Sequence, residues 1–137
     1  MMPGANFKDC LESPYLSKNS AVRANVTKDL ADAQALLSLA AEKAKAAGDA
    51  ADVTLASYRS MYCAAKALMH DAGYEISNFR FLLTTLDRLF VAQNKLDKAL
   101  VDQLVASQKL VGNVEDHLKA AEQFLAKAKQ LTGSAHA

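Results

Sequence analysis

The scarcity of proline is the feature that most constrains what this chain can fold into. Only Pro3 and Pro14 occur among 137 residues, so the chain beyond Pro14 lacks the strongest helix breaker. Along that stretch apolar residues recur at three- and four-residue steps, and strand-like alternation is almost absent. Glycines at 48, 73 and 112 stand singly where apolar segments end, as helix-stopping glycines do. The pattern predicts an all-α fold.

Five amphipathic segments divide the chain, and most begin at a residue that caps helices well. The predicted starts are Ser20, Asp49 or Asp52, Ser77 or Asn78, Leu96 and Asn113. A short helix is also expected between Asn6 and Ser13. Because short loops return a chain beside the helix it has just left, we predict an antiparallel up-and-down bundle of four to five long helices with a short N-terminal helix. It would form one domain over residues 1–137, ordered from about 6 to 131.

Charge and cysteine content argue against several classes of protein. The formal net charge is only +1, which gives no global field for binding nucleic acid or an anionic membrane. No segment approaches the roughly 18 apolar residues of a membrane span. The two cysteines, Cys10 and Cys63, form no disulfide-dense pattern. We therefore expect a cytoplasmic protein that does not enter a membrane.

Candidate ligand-binding residues lie on the second predicted helix. Arg59, Cys63, Lys66 and His70 follow at steps of four, three and four, which places them in one stripe. In one interpretation Arg59 and Lys66 bind a phosphate, His70 moves protons and the positive charges activate Cys63. In the other, which base rates favour, the stripe is solvated or faces another subunit.

The same helix carries a second, apolar face that we expect in the core or at a subunit interface. A mixture of aromatic, methionine and leucine side chains at helical spacing is typical of such a face. Its members, with one residue of the third helix, are Tyr58, Met61, Tyr62, Leu68, Met69 and Phe79.

Metal and cofactor motifs are absent from the sequence. Cys63 and His70 are about 10 Å apart along a helix axis, and no second pair of ligands completes a tetrahedral set, although His117 could approach from another helix. No phosphate-binding glycine-rich loop or nucleophile motif occurs. We expect neither a metal nor a cofactor.

Three segments together resemble the HEPN superfamily, in particular its small free-standing prokaryotic members. They are FKDCLESPYLSK, the end of the following helix at AAGD, and ASYRSMYCAAKALMHDAGY. The likeness extends from Phe7 to Leu131 and is strongest in the third segment. It implies a helical bundle that commonly forms a homodimer, often beside a nucleotidyltransferase-like partner, and active relatives are metal-independent ribonucleases.

The ribonuclease signature of that superfamily, an arginine followed by four to six residues and a histidine, is missing here. No arginine of the chain has a histidine at that spacing, and in the corresponding region, 107–116, Lys109 is the nearest basic residue. Lysine does not match arginine in bidentate phosphate binding. We therefore expect a catalytically degenerate interaction or nucleotide-binding module that acts with a nucleotidyltransferase-like or nucleic-acid-processing partner, with weak support for contact to nucleic acid itself.

Two other functions remain open at this point. One is a divergent ribonuclease toxin that uses Arg59 and His70, and the other is a scaffold or regulatory subunit without nucleotide contact.

Overall fold

The computed structural model describes residues 16–18, 20–76 and 78–133 of the chain. Five α-helices lie within these ranges, which confirms the predicted all-α bundle. In order the elements are β1 (Leu16–Lys18), a 3₁₀ turn (Ser20–Asn25), α1 (Val26–Lys45), α2 (Ala50–Asp71), β2 (Tyr74–Ile76), α3 (Phe79–Leu86), a π turn (Asp87–Val91), α4 (Lys98–Gln108) and α5 (Val114–Thr132). The short helix expected between residues 6 and 13 lies outside the described residues.

Helix α2 forms the centre of the bundle. It packs most extensively against α1 and α5 and also touches α3 and α4. Ala64, Ala65, Ala67 and Leu68 point in different directions around its axis, and all four are almost completely buried. A helix with so wide an apolar face packs against neighbours on more than one side. Phe124 of α5, which is fully buried, belongs to the same core.

Side-chain caps begin three of the helices where the sequence predicts them. Asp49 accepts a hydrogen bond from Ala51 N at 2.8 Å, Asn78 from Arg80 N at 2.9 Å, and Asn113 from Glu115 N at 2.8 Å. These bonds satisfy N–H groups that a helix terminus leaves unpaired. The predicted start at Ser20 is wrong for the first helix, because Ser20 opens the 3₁₀ turn and α1 begins only at Val26.

The third and fourth helices are shorter than the other three. Regular α-helix ends at Leu86, and the next turn is a π turn in which Ala92 N donates to Asp87 O at 2.8 Å. The carbonyl of Phe90 then accepts from both Lys95 N and Leu96 N, which closes the connection before α4 begins at Lys98. The bundle therefore has three long helices and two shorter ones.

A small antiparallel ribbon, which the sequence analysis did not predict, joins the start of the described chain to the α2–α3 connection. Leu16 pairs with Ile76, and Lys18 pairs with Tyr74. The guanidinium of Arg23 donates to Asp71 O at 3.1 Å, so the 3₁₀ turn also holds the carboxyl end of α2.

Two fully buried serines on α2 differ in whether their hydroxyl group is hydrogen-bonded, so replacing them by alanine should change stability in opposite directions. Ser60 Oγ donates to Ala33 O of α1 at 2.7 Å, whereas Ser57 Oγ has no hydrogen-bond partner within the part of the chain that the structure describes. Ser57→Ala is expected to stabilise the fold by about 1 kcal/mol, because it removes an unsatisfied buried hydroxyl. Ser60→Ala is expected to cost about 1 kcal/mol, because it removes a satisfied one.

Urea unfolding of both variants at one protein concentration measures the difference. The two substitutions are chemically identical and lie on one helix, so each serves as the control for the other. A loss of stability in Ser57→Ala equal to that in Ser60→Ala would contradict the assignment.

Candidate functional site

A buried hydrogen-bonded pair, Asp29 and His70, joins the first turn of α1 to the last turn of α2. His70 Nδ1 lies 2.5 Å from Asp29 Oδ2, and the two side chains are only 10% and 6% exposed. An ionised carboxylate only accepts hydrogen bonds, so Nδ1 carries the proton in this contact. The helix dipoles favour both positions. A negative carboxylate is stabilised near a helix N-terminus, where Asp29 lies, and an imidazole that donates hydrogen bonds is stabilised near a C-terminus, where His70 lies. The pair therefore links the start of α1 to the end of α2.

The predicted stripe on α2 changes from exposed to buried along its length. Arg59 is exposed, Cys63 and Lys66 are half-buried, and His70 is buried against Asp29. The expectation of a solvated stripe is therefore wrong for His70. The Lys66 ammonium lies 5.9 Å from the centre of the Tyr62 ring, a cation–π contact along the same helix.

Arg59 and His70 do not converge within one chain. Eleven residues separate them on a single straight helix, which is about 16 Å along its axis. A catalytic base must come within hydrogen-bond reach of the proton it abstracts, and a phosphate bound by Arg59 would be far outside the reach of His70. The two residues therefore cannot act together on one phosphate unless a second chain contributes.

The Cys63 thiol is not activated by its surroundings. Burial raises its pKa, the Lys66 ammonium lowers it in part, and the carboxylates of Asp32 and Asp29 raise it further. The thiolate is the reactive form of cysteine, so a raised pKa leaves less of it at neutral pH. The interpretation of Cys63 as an activated nucleophile is not favoured.

Slow alkylation is the expected consequence at Cys63. In a Cys10→Ser background, iodoacetamide should modify the folded protein at least about threefold more slowly than the urea-unfolded protein at pH 8. Because the folded thiol has the higher pKa, its rate should continue to rise with pH after that of the unfolded chain has levelled off. A rate that levels off at lower pH in the folded protein would instead show an activated cysteine.

A groove with a charged rim lies between α1 and α2, on the side where Arg59 emerges. It encloses about 280 Å³. Its lining includes three leucines, two basic residues and one acidic residue: Leu36, Leu39, Leu55, Lys43, Arg59 and Asp52. Leu39 is 41% exposed and Leu55 38%. Exposed leucines that adjoin on two helices and have a charged rim are typical of a contact surface for another macromolecule.

Lys109 is not on α2 with the other candidate residues. It follows α4 and is exposed, and the next residue, Leu110, has a positive φ of 57° and is 55% exposed. Among the described residues, Lys109 does not line the α1–α2 groove, and the side chain that contacts His70 is Asp29.

His117 is fully buried and has a structural role. Gln103 Nε2 donates to its Nδ1 at 2.7 Å, and its Nε2 donates to Val111 O at 2.7 Å. Both nitrogens are thus used in joining α4, the following loop and α5. The suggestion that His117 might approach Cys63 and His70 is wrong, because its ring is committed to these contacts.

The residues expected in the core or at an interface are either buried in the core or packed against its edge. Met61, Leu68 and Met69 are at most 1% exposed, so they belong to the core. The aromatic members are half-buried and form a row on the core's edge, with ring centres 6.0 Å apart for Tyr58 and Tyr62 and 6.1 Å apart for Tyr58 and Phe79. Burial also raises the pKa of the Tyr58 phenol.

The sequence reasoning missed Asp29 and the exposed leucines. Asp29 interrupts an apolar stripe between Val26, Leu30 and Ala33, and a carboxylate inside such a stripe signals a buried partner. Leu39 and Leu55 could have been noticed for the opposite reason: they are apolar residues that lie outside the apolar face of their helices. Each is a large apolar side chain on a polar face, where a contact surface is to be expected.

Metal ligands do not cluster in the described ranges: residues 16–18, 20–76 and 78–133 contain no group of three His, Cys, Asp or Glu side chains that could hold an ion. Across those same ranges, no helix combines the length and apolar character needed to cross a membrane.

Comparison with known proteins adds no relative to this picture. No protein-family model, no curated protein and no solved structure matches the chain. The resemblance to the HEPN superfamily therefore rests on the residues quoted above.

Proposed function

We propose that this chain is a non-catalytic helical interaction module of the HEPN type, which uses the α1–α2 groove to contact a partner protein. The observation that carries the proposal is the pair of exposed leucines, Leu39 and Leu55, which adjoin on two helices within a charged rim. Isolated exposed leucines need no explanation, but two that share one groove favour a contact surface. A nucleotidyltransferase-like or nucleic-acid-processing protein is the partner that the resemblance implies, with a homodimer as the assembly state.

The position of His70 supports a binding role over a catalytic one. Its Nδ1 is committed to Asp29, only 10% of its side chain is exposed, and Arg59 is about 16 Å away along the helix. Together with the missing arginine–histidine spacing, this leaves the chain without a paired acid–base and phosphate-binding group.

The test of the proposal measures RNA cleavage and partner binding separately. Purified protein is expected to leave a fluorescent single-stranded RNA intact, and to co-purify with the nucleotidyltransferase-like product of a neighbouring gene. Leu55→Glu should abolish that co-purification. Leu110→Glu is the matched control, because Leu110 is also exposed but lies outside the groove. Cleavage of the RNA that is lost in Arg59→Ala would overturn the proposal.

One observation favours a second candidate function, the divergent ribonuclease. Asp29 holds the His70 imidazole by Nδ1, and a carboxylate that orients an imidazole is a feature of many catalytic bases. His70→Gln and Asp29→Asn in the RNA assay address it. Cleavage by the wild type that both variants lack, while their circular dichroism stays unchanged, would establish the nuclease instead.

A further inference from the structure

The α1–α2 groove carries different charges at its two ends. The two helices are joined by residues 46–49, so the residues nearest that connection lie at one end of the groove. Lys43 and Asp52 are each two residues from the connected end of their helix, and their opposite charges offset each other. Leu36 and Arg59 are each nine residues from it, and none of the described lining residues at that far end is acidic. The far end is therefore positive.

The Arg59 guanidinium is available to a partner. It is exposed, and none of the three ion pairs within the described ranges includes it. A guanidinium binds a carboxylate through two parallel hydrogen bonds, which a lysine ammonium cannot match. The exposed side chains of Leu39 and Leu55 lie between Arg59 and the neutral end. A complementary occupant is thus apolar along the centre of the groove and acidic at one end.

The make-up of the groove favours a helix as the segment that enters it. Its described lining residues all belong to α1 or α2, whose backbone groups are paired within each helix, so they offer no sheet edge to an added strand. Not one of those lining residues is aromatic, which disfavours a proline-rich segment. Asp52 and Arg59 are seven residues apart, about 10 Å along α2. That length matches two turns of a third helix with apolar residues at positions i, i+4 and i+7.

We propose that the groove binds an acidic amphipathic helix of the partner protein, which lays its apolar residues over Leu39 and Leu55 and places an aspartate or glutamate against Arg59. This rests on the proposed function, which makes the groove the contact surface, and it adds the kind of segment that the partner presents. Because only one end of the groove is positive, the acid also sets the direction in which the helix lies. A helix with a basic residue at that position is rejected by like charge.

Fluorescence anisotropy with two designed peptides tests the inference. Each is an amphipathic helix of about 18 residues, since shorter helices are marginal in water, with leucines at positions i, i+4 and i+7. The acidic peptide has two glutamates beside the last leucine, and the basic peptide has lysines in their place. We expect the wild-type protein to bind the acidic peptide at least about fivefold more tightly, because only that peptide can pair with Arg59. Leu55→Glu should abolish its binding.

Reversing the charge of Arg59 gives the sharpest result. Arg59→Glu should weaken binding of the acidic peptide and strengthen binding of the basic one, so that the order of the two affinities is inverted. Arg88→Glu is the matched control, because Arg88 is also an exposed arginine but does not line the groove, and it should leave both affinities unchanged. Unchanged circular dichroism excludes unfolding as the cause of any loss of binding.

Two outcomes overturn the inference. An acidic peptide that does not saturate the wild-type protein up to about 100 µM removes the helix site. The same order of affinities in Arg59→Glu as in the wild type removes the contact between the acid and Arg59. Neither outcome decides the proposed function, because co-purification of the neighbouring gene product through Leu55 is measured on its own. If that product binds through Leu55 while the acidic peptide does not, the groove contacts a different kind of segment.

Discussion

Replacing His70 by leucine is expected to destabilise the fold by about 3–5 kcal/mol. The reason is that Asp29 would remain buried without its partner, and an uncompensated buried charge is far more costly than a missing contact. Asp29 is 4% exposed and cannot recover hydration without opening the α1–α2 hairpin. Asp29→Leu should cost less, about 1–3 kcal/mol, because the imidazole that remains can be neutral.

The double variant Asp29→Leu/His70→Leu makes the prediction specific. Apolar residues often replace a buried ion pair with little loss, so the second substitution should recover part of the stability lost in His70→Leu. Urea unfolding measures the stability of the wild type, the two single variants and the double variant. All four are compared at one protein concentration, so that any contribution of self-association is the same for each. Asp32→Ala, which breaks the exposed Lys28–Asp32 pair on the same helix, is the control and should change little.

Additive effects of the two leucine substitutions would contradict this account. They would mean that Asp29 and His70 contribute through separate packing contacts rather than through each other.

Replacing His117 by alanine is expected to cost about 2–4 kcal/mol. The ring is completely buried, so its removal leaves a cavity and also leaves the Gln103 amide without its acceptor. The carbonyl of Val111 loses its donor at the same time. His117→Gln should be intermediate, because a glutamine amide can still reach the position of Nε2 and donate to that carbonyl.

Hydrogen exchange separates the local effect from the global one. Loss of the His117 contacts should speed amide exchange in residues 109–113 more than in the centre of α2, since the ring ties this loop to α4 and α5. Asn113→Ala is the comparison variant: it removes only the cap of α5, at a cost of about 1 kcal/mol, and leaves both ring contacts in place. A smaller loss in His117→Ala than in Asn113→Ala would contradict the role assigned to His117.

The neighbourhood of His117 also explains why Gly112 is glycine. Its φ is +108°, and a Cβ at that position would lie 3.2 Å from His117 Nε2. The backbone must therefore pass close to the ring in a conformation that other residues rarely adopt. The sequence identified Gly112 as a helix stop, but only the fold shows that a buried histidine lies against it.

Local signals in the sequence determined the helices well. Caps at Asp49, Asn78 and Asn113 and the stop at Gly73 depend on hydrogen bonds and backbone angles within a few residues of each site. Such interactions join residues that are close in the sequence, so a local pattern is enough to predict where they occur. The π turn after Leu86 gave no such signal, because its extra residue depends on how Phe90 and Leu96 close onto the bundle.

The tertiary structure alone decided what the polar residues of α2 do. Periodicity placed Arg59, Cys63, Lys66 and His70 in one stripe, but periodicity describes only one helix and does not locate its neighbours. The packing of α1 along α2 buries His70 against Asp29, 41 residues earlier, and leaves Arg59 at an open groove with Leu39 and Leu55. The sequence alone determined the all-α architecture and the missing ribonuclease spacing. The partner of His70 and the free charges around Leu55 follow from contacts between distant segments, which a single helix pattern does not contain.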